Sequence, residues 1–200
     1  MTRTLYLVRH GRTLFNEKRI IQGWSDSPLT AEGEQQAARL GRYFDHEGIV
    51  FDHVYASTAA RTHATAELIT SVPFTRDPGL REWFFGAFEG ERISLMPARP
   101  WGDFYLQFGG ESQDQVRSRV CAALDAIMRR PGHERVLAVS HGSACREFME
   151  RWQASAAGTY RDVPGNCSVM RYAFDPATGV FSLEDVLEQA DIARLLGEQA

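Results

Sequence analysis

The sequence predicts an α/β protein of three layers, in which a mostly parallel mixed sheet is flanked by helices. Strand-like and helix-like runs alternate along the 200 residues, which is the pattern of a parallel sheet with helical crossovers. Two apolar runs each end in His-Gly, at His10-Gly11 and at His141-Gly142. Because ligands bind beyond the carboxyl ends of parallel strands, the two histidines are expected to meet at that edge. No linker or repeat divides the chain, so we expect one domain over residues 1–200.

Hydrophobic periodicity and capping residues define the elements of the first half of the chain. They are a strand at 4–8, a helix from Thr30 to near Gly48, a strand at 53–57, a helix capped by Ser57 or Thr58 that runs through Ile69, and an edge segment around Pro73. Thr30 is expected as an N-cap because Glu32 and Glu34 follow in the first turn, where the helix dipole favours acidic side chains.

The second half begins with a stretch, residues 77–110, that is rich in glycine, proline and aromatic residues and has no clear period. We expect an irregular lid there with short helical pieces. Ser112, with Gln115 three residues later, predicts the start of a long helix that ends before Pro131-Gly132. The remaining predicted elements are a strand that ends at His141, a helix at 144–152, a hairpin of strands at 167–174 and 180–187, and a short helix at 190–196.

Composition and charge argue against several classes of protein. The net charge of −4 and the pI of about 5.9 provide no general positive field for nucleic acid or an anionic membrane surface. The apolar runs are too short for a signal peptide or a membrane span, which predicts a soluble cytoplasmic protein. Three cysteines without CxxC spacing predict reduced thiols that serve packing: Cys121, Cys145 and Cys167. No metal is expected, because the other histidines lack ligand spacing: His46, His53, His63 and His133.

Five residues suit chemistry on a phosphate monoester. Arg9 follows the first strand and Arg61 lies in the first turn of a helix, so both guanidinium groups can clamp phosphate oxygens. A neutral imidazole is a competent nucleophile, which makes His10 a candidate to take the phosphoryl group, with His141 as a second donor to its oxygens. Glu82 is the candidate proton donor, because its apolar neighbours in the sequence are expected to keep a carboxyl group protonated.

The same residues carry a family resemblance that extends over nearly the whole chain. The motifs, in order, are Leu7-Val8-Arg9-His10-Gly11, Ser57 with Arg61 and Thr65, Leu80-Arg81-Glu82 with Gly86 and Glu89-Gly90, Gly109-Gly110-Glu111-Ser112, and Ser140-His141-Gly142. This sequence resembles the histidine phosphatase superfamily, whose best-known branch is cofactor-dependent phosphoglycerate mutase. A set of five motifs in order is far more specific than a lone Arg-His-Gly tripeptide.

The resemblance implies a phosphoglycerate mutase-like fold and a role for each matching residue. His10 corresponds to the phosphorylated histidine, Arg9 and Arg61 to phosphate-binding arginines, His141 to the second pocket histidine and Glu82 to the acid and base. Further substrate contacts are expected from Asn16, Gln22 and Gly23, and from backbone amides near Gly142 and Ser143.

The resemblance leaves the reaction open. Mutases of this family carry a long basic insertion before the Gly-Glu-Ser helix, whereas residues 91–110 of this chain contain only Arg92 and Arg99 as cations. We therefore expect a phosphatase that uses no cofactor. A mutase, which would need 2,3-bisphosphoglycerate, is the alternative, and a non-catalytic module that binds phosphorylated ligands is the second alternative.

The predicted partner is a small phosphorylated metabolite, and we expect the protein to bind neither nucleic acid nor a membrane. The sequence does not identify the physiological substrate or the oligomeric state, of which a homodimer is one option. Arg12, Arg92 and Arg99 are interpreted as solvated surface charges, although each could bind a second anionic group. The aromatic residues at the start of the 77–110 stretch are interpreted as packing: Trp83, Phe84, Phe85 and Phe88.

Overall fold

The structure is a computed structural model that describes residues 2–152 and 163–198. The strands are β1 (Arg3–Arg9), β2 (His53–Ala56), β3 (Phe74–Arg76), β4 (Arg135–Ser140), β5 (Val169–Asp175) and β6 (Val180–Leu187). The helices are α1 (Leu14–Glu17), α2 (Ala31–His46), α3 (Ala60–Ile69), α4 (Gln113–Met128), α5 (Gly142–Trp152) and α6 (Gln189–Leu195). Apart from α1, which the sequence did not predict, these elements follow the predicted ones to within a few residues at their ends.

The described strands form one mixed sheet in the order β3-β2-β4-β1-β5-β6. The first four are parallel to one another, and β5 and β6 add an antiparallel hairpin beside β1. The register places Arg9 opposite Ser140, and the His10 N–H donates to the Ser140 carbonyl at 3.0 Å. His10 and His141 therefore leave neighbouring strands side by side, as the sequence predicted.

Two apolar layers cover the two faces of this sheet. Along β1, Leu5 and Leu7 belong to one layer while Tyr6 and Val8 belong to the other, because successive side chains of a strand point to opposite faces. The first layer includes the inward faces of α4 and α5, and the second includes those of α2 and α3. Burial on both faces explains the continuous apolar run that predicted the strand. None of the helices in the described ranges is long and apolar enough to cross a membrane.

Two predicted N-caps are confirmed and one is wrong. Thr30 accepts a hydrogen bond from the Gly33 N–H at 3.1 Å, and Ser112 forms a capping box at the start of α4. Ser57 and Thr58 do not cap α3, because this helix begins later and its N-cap is Ala59, which has no capping side chain. The first α3 amide, that of Ala60, is instead satisfied by the carboxylate of a distant loop residue, Asp26.

The 77–110 segment contains only short 3-10 turns, in agreement with its lack of period: Pro78–Leu80, Gly86–Phe88, Ile93–Leu95 and Phe104–Phe108. Its largest buried aromatic side chains are Trp83, Phe85, Trp101 and Tyr105. They pack mostly edge to face, with the Trp83 and Trp101 rings 5.1 Å apart. The interpretation of Trp83 and Phe85 as packing residues is confirmed. The role of this segment as a lid stays a prediction.

Candidate active site

The two strand-end histidines lie together in the protein interior. The ring centroids of His10 and His141 are 5.3 Å apart, and both side chains are buried. Nδ1 of His10 lies 2.8 Å from the Gly11 carbonyl; since a carbonyl only accepts, Nδ1 carries the proton and Nε2 keeps its lone pair. Burial lowers the pKa of His10 well below its ordinary value, and the charges of Arg61 and Arg9 lower it further. The imidazole is therefore neutral and offers a nucleophilic nitrogen at neutral pH.

Arg61 fixes the protonation of the second histidine. Its Nη2 lies 2.9 Å from Nδ1 of His141, and a guanidinium only donates, so Nδ1 accepts and Nε2 carries the proton. That Nε2 lies 2.8 Å from the Ser57 hydroxyl, to which it donates. Burial, and then the charge of Arg61, lower the pKa of His141 well below its ordinary value. His141 is thus a neutral hydrogen-bond donor beside His10.

A loop before α2 holds the Arg61 guanidinium from the other side. The Nη1 of Arg61 donates to the Ser25 carbonyl and to the Asp26 carboxylate, both at 2.9 Å, and the Nη2 of Arg61 donates to the Gly23 carbonyl at 2.8 Å. The Glu89 carboxylate orders the same loop by accepting from two of its amides at 2.7 Å. Sequence reasoning did not assign Asp26 or Glu89 these roles, because each acts across a long separation in the chain.

Arg9 is the last residue of β1 and lines the same cavity as His10. Burial lowers the pKa of its guanidinium, and the charge of Glu82 opposes that effect. Its Nη1 donates to the Pro164 carbonyl at 2.6 Å. A Cβ at Gly142 would lie 2.9 Å from the Val163 Cγ1 and 3.2 Å from the Arg9 Cζ, so the glycine at the start of α5 gives both side chains room.

Glu82 does not have the apolar surroundings predicted for it. Its Oε1 accepts from the amides of Trp83 and Ala144, both at 2.9 Å, and its Oε2 accepts from the Ser143 amide at 3.0 Å. The apolar neighbour Trp83 turns into the core, and the N-terminus of α5 supplies amide donors in its place, as helix N-termini do for carboxylates. The Ser143 amide, predicted to contact substrate, is therefore occupied by Glu82.

An ion pair that sequence reasoning missed holds the backbone around Glu82. Nε and Nη2 of Arg119, on α4, bind the two oxygens of Glu111 at 2.9 and 2.7 Å. The same guanidinium donates to the carbonyls of Gly79, Arg81 and Glu82 at 2.9 to 3.1 Å. Glu111 stands in the Gly-Gly-Glu-Ser motif, but no sequence pattern points to Arg119. We call Arg119 and Glu111 the α4 clamp.

The weaker predicted contacts have mixed outcomes. Asn16 and Gln22 both line the cavity with His10. Gln22 is engaged within its own loop, accepting from Thr13 at 2.9 Å and donating to Ser27 at 3.1 Å. Oδ1 of Asn16 accepts from the Asn166 amide at 3.2 Å. Gly23, with a positive φ of 54°, contributes its carbonyl to Arg61.

The cavity measures about 250 Å³ and is lined by His10, Arg9, Arg61, Asn16, Glu82 and Arg99, with apolar walls that include Ile20, Ile93 and Met96. A second recess of about 210 Å³ adjoins it at Gly23 and Glu82 and includes His141 and Ser57. The two recesses together bring the five main predicted residues to one place. The interpretation of Arg99 as a solvated charge is wrong, whereas Arg92 is exposed as expected.

Within the described ranges, no three histidine, cysteine or acidic side chains are grouped closely enough to hold a metal ion. Cys145 and Cys167 are buried in the two apolar layers, and burial raises the pKa of both thiols. Their predicted packing role agrees with this placement.

Comparison with known proteins identifies the family. The sequence profile of the histidine phosphatase superfamily (branch 1) matches residues 5–185, so the chain belongs to that superfamily. A relative from Erwinia tasmaniensis, named as probable phosphoglycerate mutase GpmB, is 37% identical over 84% of this chain and 83% of its own.

Solved structures of related proteins have the same fold as this chain. Phosphoglycerate mutase from Bacillus anthracis superposes with a TM-score of 0.81 at 25% identity and covers 96% of both chains. Bacillus stearothermophilus YhfR superposes with a TM-score of 0.76 at 32% identity and covers 90% of this chain and 94% of its own. The phosphoglycerate mutase-like fold predicted from the sequence is confirmed.

Proposed function

We propose that this protein is a phosphomonoesterase that hydrolyses small phosphorylated metabolites through a phosphohistidine. The observation that carries the proposal is the free Nε2 lone pair of a neutral, buried His10 within a cavity that also contains Arg9, Arg61 and Glu82. A phosphate dianion needs cationic and hydrogen-bonding groups before a nucleophile can approach it. Arg9 and Arg61 each present a buried Nε–H that has no partner among the described residues, and the Nε2–H of His141 would exchange the Ser57 hydroxyl for a phosphate oxygen.

In the first step, Nε2 of His10 attacks phosphorus in line, and the N–P bond forms as the ester O–P bond breaks. The departing alcohol oxygen takes a proton from the Glu82 carboxyl group. A carboxylate has about four lone-pair sites, and Glu82 uses two on Oε1 and one on Oε2 to accept from amides. The remaining site on Oε2 accepts from none of the described amides, and we place the transferred proton there in the substrate complex, where the phosphate dianion favours a neutral carboxyl group beside it.

In the second step, the ionised Glu82 accepts a proton from water while the water oxygen attacks phosphorus. The P–N bond breaks, inorganic phosphate leaves, and His10 regains its neutral form with a free Nε2. The hydrogen bond from Nδ1 of His10 to the Gly11 carbonyl stabilises the positive charge that the ring carries while it is phosphorylated.

A phosphoglycerate mutase is the second candidate, and the name of the Erwinia relative favours it. In that reaction a phosphorylated glycerate, rather than water, accepts the phosphoryl group from His10. We favour hydrolysis because the 91–110 stretch brings a single cation, Arg99, into the cavity. Holding an acceptor and excluding water calls for more such groups.

Two assays test the proposal. p-Nitrophenyl phosphate should be hydrolysed in the presence of EDTA, and His10→Ala should abolish the release; no release from any phosphate ester would favour a binding module. With 3-phosphoglycerate and catalytic 2,3-bisphosphoglycerate, phosphate release should exceed formation of 2-phosphoglycerate. The reverse ratio would identify a mutase.

A further inference from the structure

Residues 164–168, which precede β5, lie against the end of β1. The Cys167 N–H donates to the carbonyl of Arg9 at 3.0 Å and to that of His10 at 3.3 Å. Asn166, the preceding residue, lines neither of the two recesses. It can therefore influence a bound ligand only through the residues that it contacts.

The hydrogen bonds of Asn166 determine which way its side-chain amide points. Its Nδ2 lies 3.0 Å from the His10 carbonyl. Because a carbonyl only accepts, the NH2 group of Asn166 rather than its amide oxygen faces His10. The NH2 group also donates to Oδ1 of Asn16 at 3.2 Å. Asn166 thus joins the backbone of the nucleophile to the side chain of Asn16.

Asn16 receives a second donor at the same oxygen. The Thr13 N–H donates to Oδ1 of Asn16 at 3.2 Å, as one half of the capping box at the start of α1. An amide oxygen has two lone pairs, and both are now in use. Nδ2 of Asn16 donates to none of the described residues, and Asn16 lines the cavity with His10. The NH2 group is therefore the end of the Asn16 amide that is left for an acceptor in the cavity.

We propose that Asn166 is a positioning residue that keeps the Asn16 amide turned so that its NH2 group donates to the phosphate. The two orientations of an amide have nearly the same shape, so its hydrogen bonds decide between them. Without Asn166, only the Thr13 N–H holds Oδ1, and the reversed amide would point an oxygen at the phosphate oxygens, all of which are acceptors. This inference rests on the proposed function and adds to it a residue that lies outside the cavity.

The affinity for inorganic phosphate, measured by calorimetry, tests this role. Asn166→Asp retains the shape of the side chain but replaces the NH2 group with an oxygen, which favours the reversed Asn16 amide. Phosphate affinity should fall by about 10- to 100-fold, the effect of losing a hydrogen bond to a charged group. Asn166→Ala leaves both orientations of Asn16 accessible and should lower the affinity by less, about three- to tenfold.

A double variant shows whether Asn166 acts through Asn16. Adding Asn166→Ala, which introduces no charge, to Asn16→Ala should change phosphate affinity by less than about twofold, as expected for coupled residues. Multiplicative losses would overturn the proposal. Ser168→Ala is the matched control, because it removes a hydrogen bond within the same stretch, from the Ser168 hydroxyl to the Gly165 carbonyl at 2.8 Å. Phosphate affinity should be unchanged in this control, and a loss equal to that of Asn166→Ala would also overturn the proposal.

Side-chain NMR reports the orientation of the Asn16 amide directly. Its NH2 signals, assigned by their absence from Asn16→Ala, should shift when inorganic phosphate is added to the wild type, and this shift should be lost in Asn166→Asp. Signals that do not move in the wild type, or that move equally in Asn166→Asp, would overturn the inference whether or not esters are hydrolysed. A shift that depends on Asn166 in a protein that hydrolyses no ester would support the inference and contradict the proposed function.

Discussion

Removal of the α4 clamp tests whether the position of Glu82 matters for its role as the proton donor. Arg119 does not itself line either recess, yet it donates to the carbonyls of Gly79, Arg81 and Glu82 and is held in turn by Glu111. Arg119→Met retains the length of the side chain but removes all of these donors. The backbone that carries Glu82 then loses its attachment to α4.

The size of the effect follows from these contacts. Three carbonyls lose a hydrogen bond from a charged donor, each of which contributes about 1.5–3 kcal/mol when fully buried; because Arg119 is 21% exposed, water replaces part of this loss. The ion pair, with side chains 21% and 17% exposed, adds less than about 1 kcal/mol because solvent screens it. We expect the free energy of unfolding to fall by about 2–5 kcal/mol, within the range for loss of a partly buried network. A displacement of Glu82 by about 1 Å should slow its proton transfer by about 100-fold.

Steady-state kinetics on two substrates provide the assay. Glycerol 3-phosphate has a poor leaving group that needs a proton donor, whereas p-nitrophenyl phosphate does not. Arg119→Met should lower kcat for the first by about 10- to 100-fold and for the second by less than about threefold. Arg117→Met is the matched control, because Arg117 lies on the same helix and is also paired with acidic residues but makes no contact with the Glu82 backbone.

Combining Arg119→Met with Glu82→Gln shows whether Arg119 acts through Glu82. If Arg119 acts only by positioning Glu82, its loss should have little further effect once Glu82 can no longer donate a proton, as expected for coupled residues. Multiplicative losses in the double variant, or equal losses on both substrates in Arg119→Met alone, would refute the positioning role.

Three further predictions concern the site residues themselves. Glu82→Gln should lower kcat for the hydrolysis of glycerol 3-phosphate by about 10²- to 10⁴-fold and that of p-nitrophenyl phosphate much less. Equal losses on both substrates would show that Glu82 is not the acid. Because the folded pKa values of His10 and His141 are lowered, the unfolded chain binds protons first as pH falls below about 6.5. The free energy of unfolding should therefore decrease there by up to about 1.4 kcal/mol per pH unit for each histidine. Urea unfolding at several pH values between 7 and 5.5 should show a weaker dependence of this free energy on pH for His10→Gln than for the wild type, and an unchanged dependence would contradict this. Arg9→Met, which retains the length of the side chain but removes the guanidinium, should weaken competitive inhibition by inorganic phosphate at least about tenfold, the loss of one charged hydrogen bond, and unchanged inhibition would argue against a phosphate role for Arg9.

The sequence predicted those parts of the fold that depend on local patterns. The apolar run of β1, the Thr30 N-cap and the Ser112 capping box are local, and their positions are confirmed within a few residues. The meeting of His10 and His141 followed from a general property of parallel sheets rather than from any contact visible in the sequence. The motif order supplied the remaining members of the site.

The errors arose where tertiary contacts decide the environment of a side chain. Glu82 has apolar neighbours in the sequence, but the first amides of α5 reach its carboxylate from sixty residues away. Asp26 replaces the predicted Ser57 or Thr58 at the start of α3 for the same reason. Arg99 was interpreted as solvated because nothing in its irregular segment indicates that the segment contributes to the cavity wall.

The measurement that tests the central claim most directly is identification of the phosphorylated residue. The protein is mixed with a phosphate ester, quenched in alkali within milliseconds and digested, and the peptides are analysed by mass spectrometry. We expect one phosphoryl group on His10, stable in alkali, lost in acid and absent from His10→Ala. A phosphoryl group on serine or aspartate, or turnover without any phosphorylated His10, would contradict the mechanism.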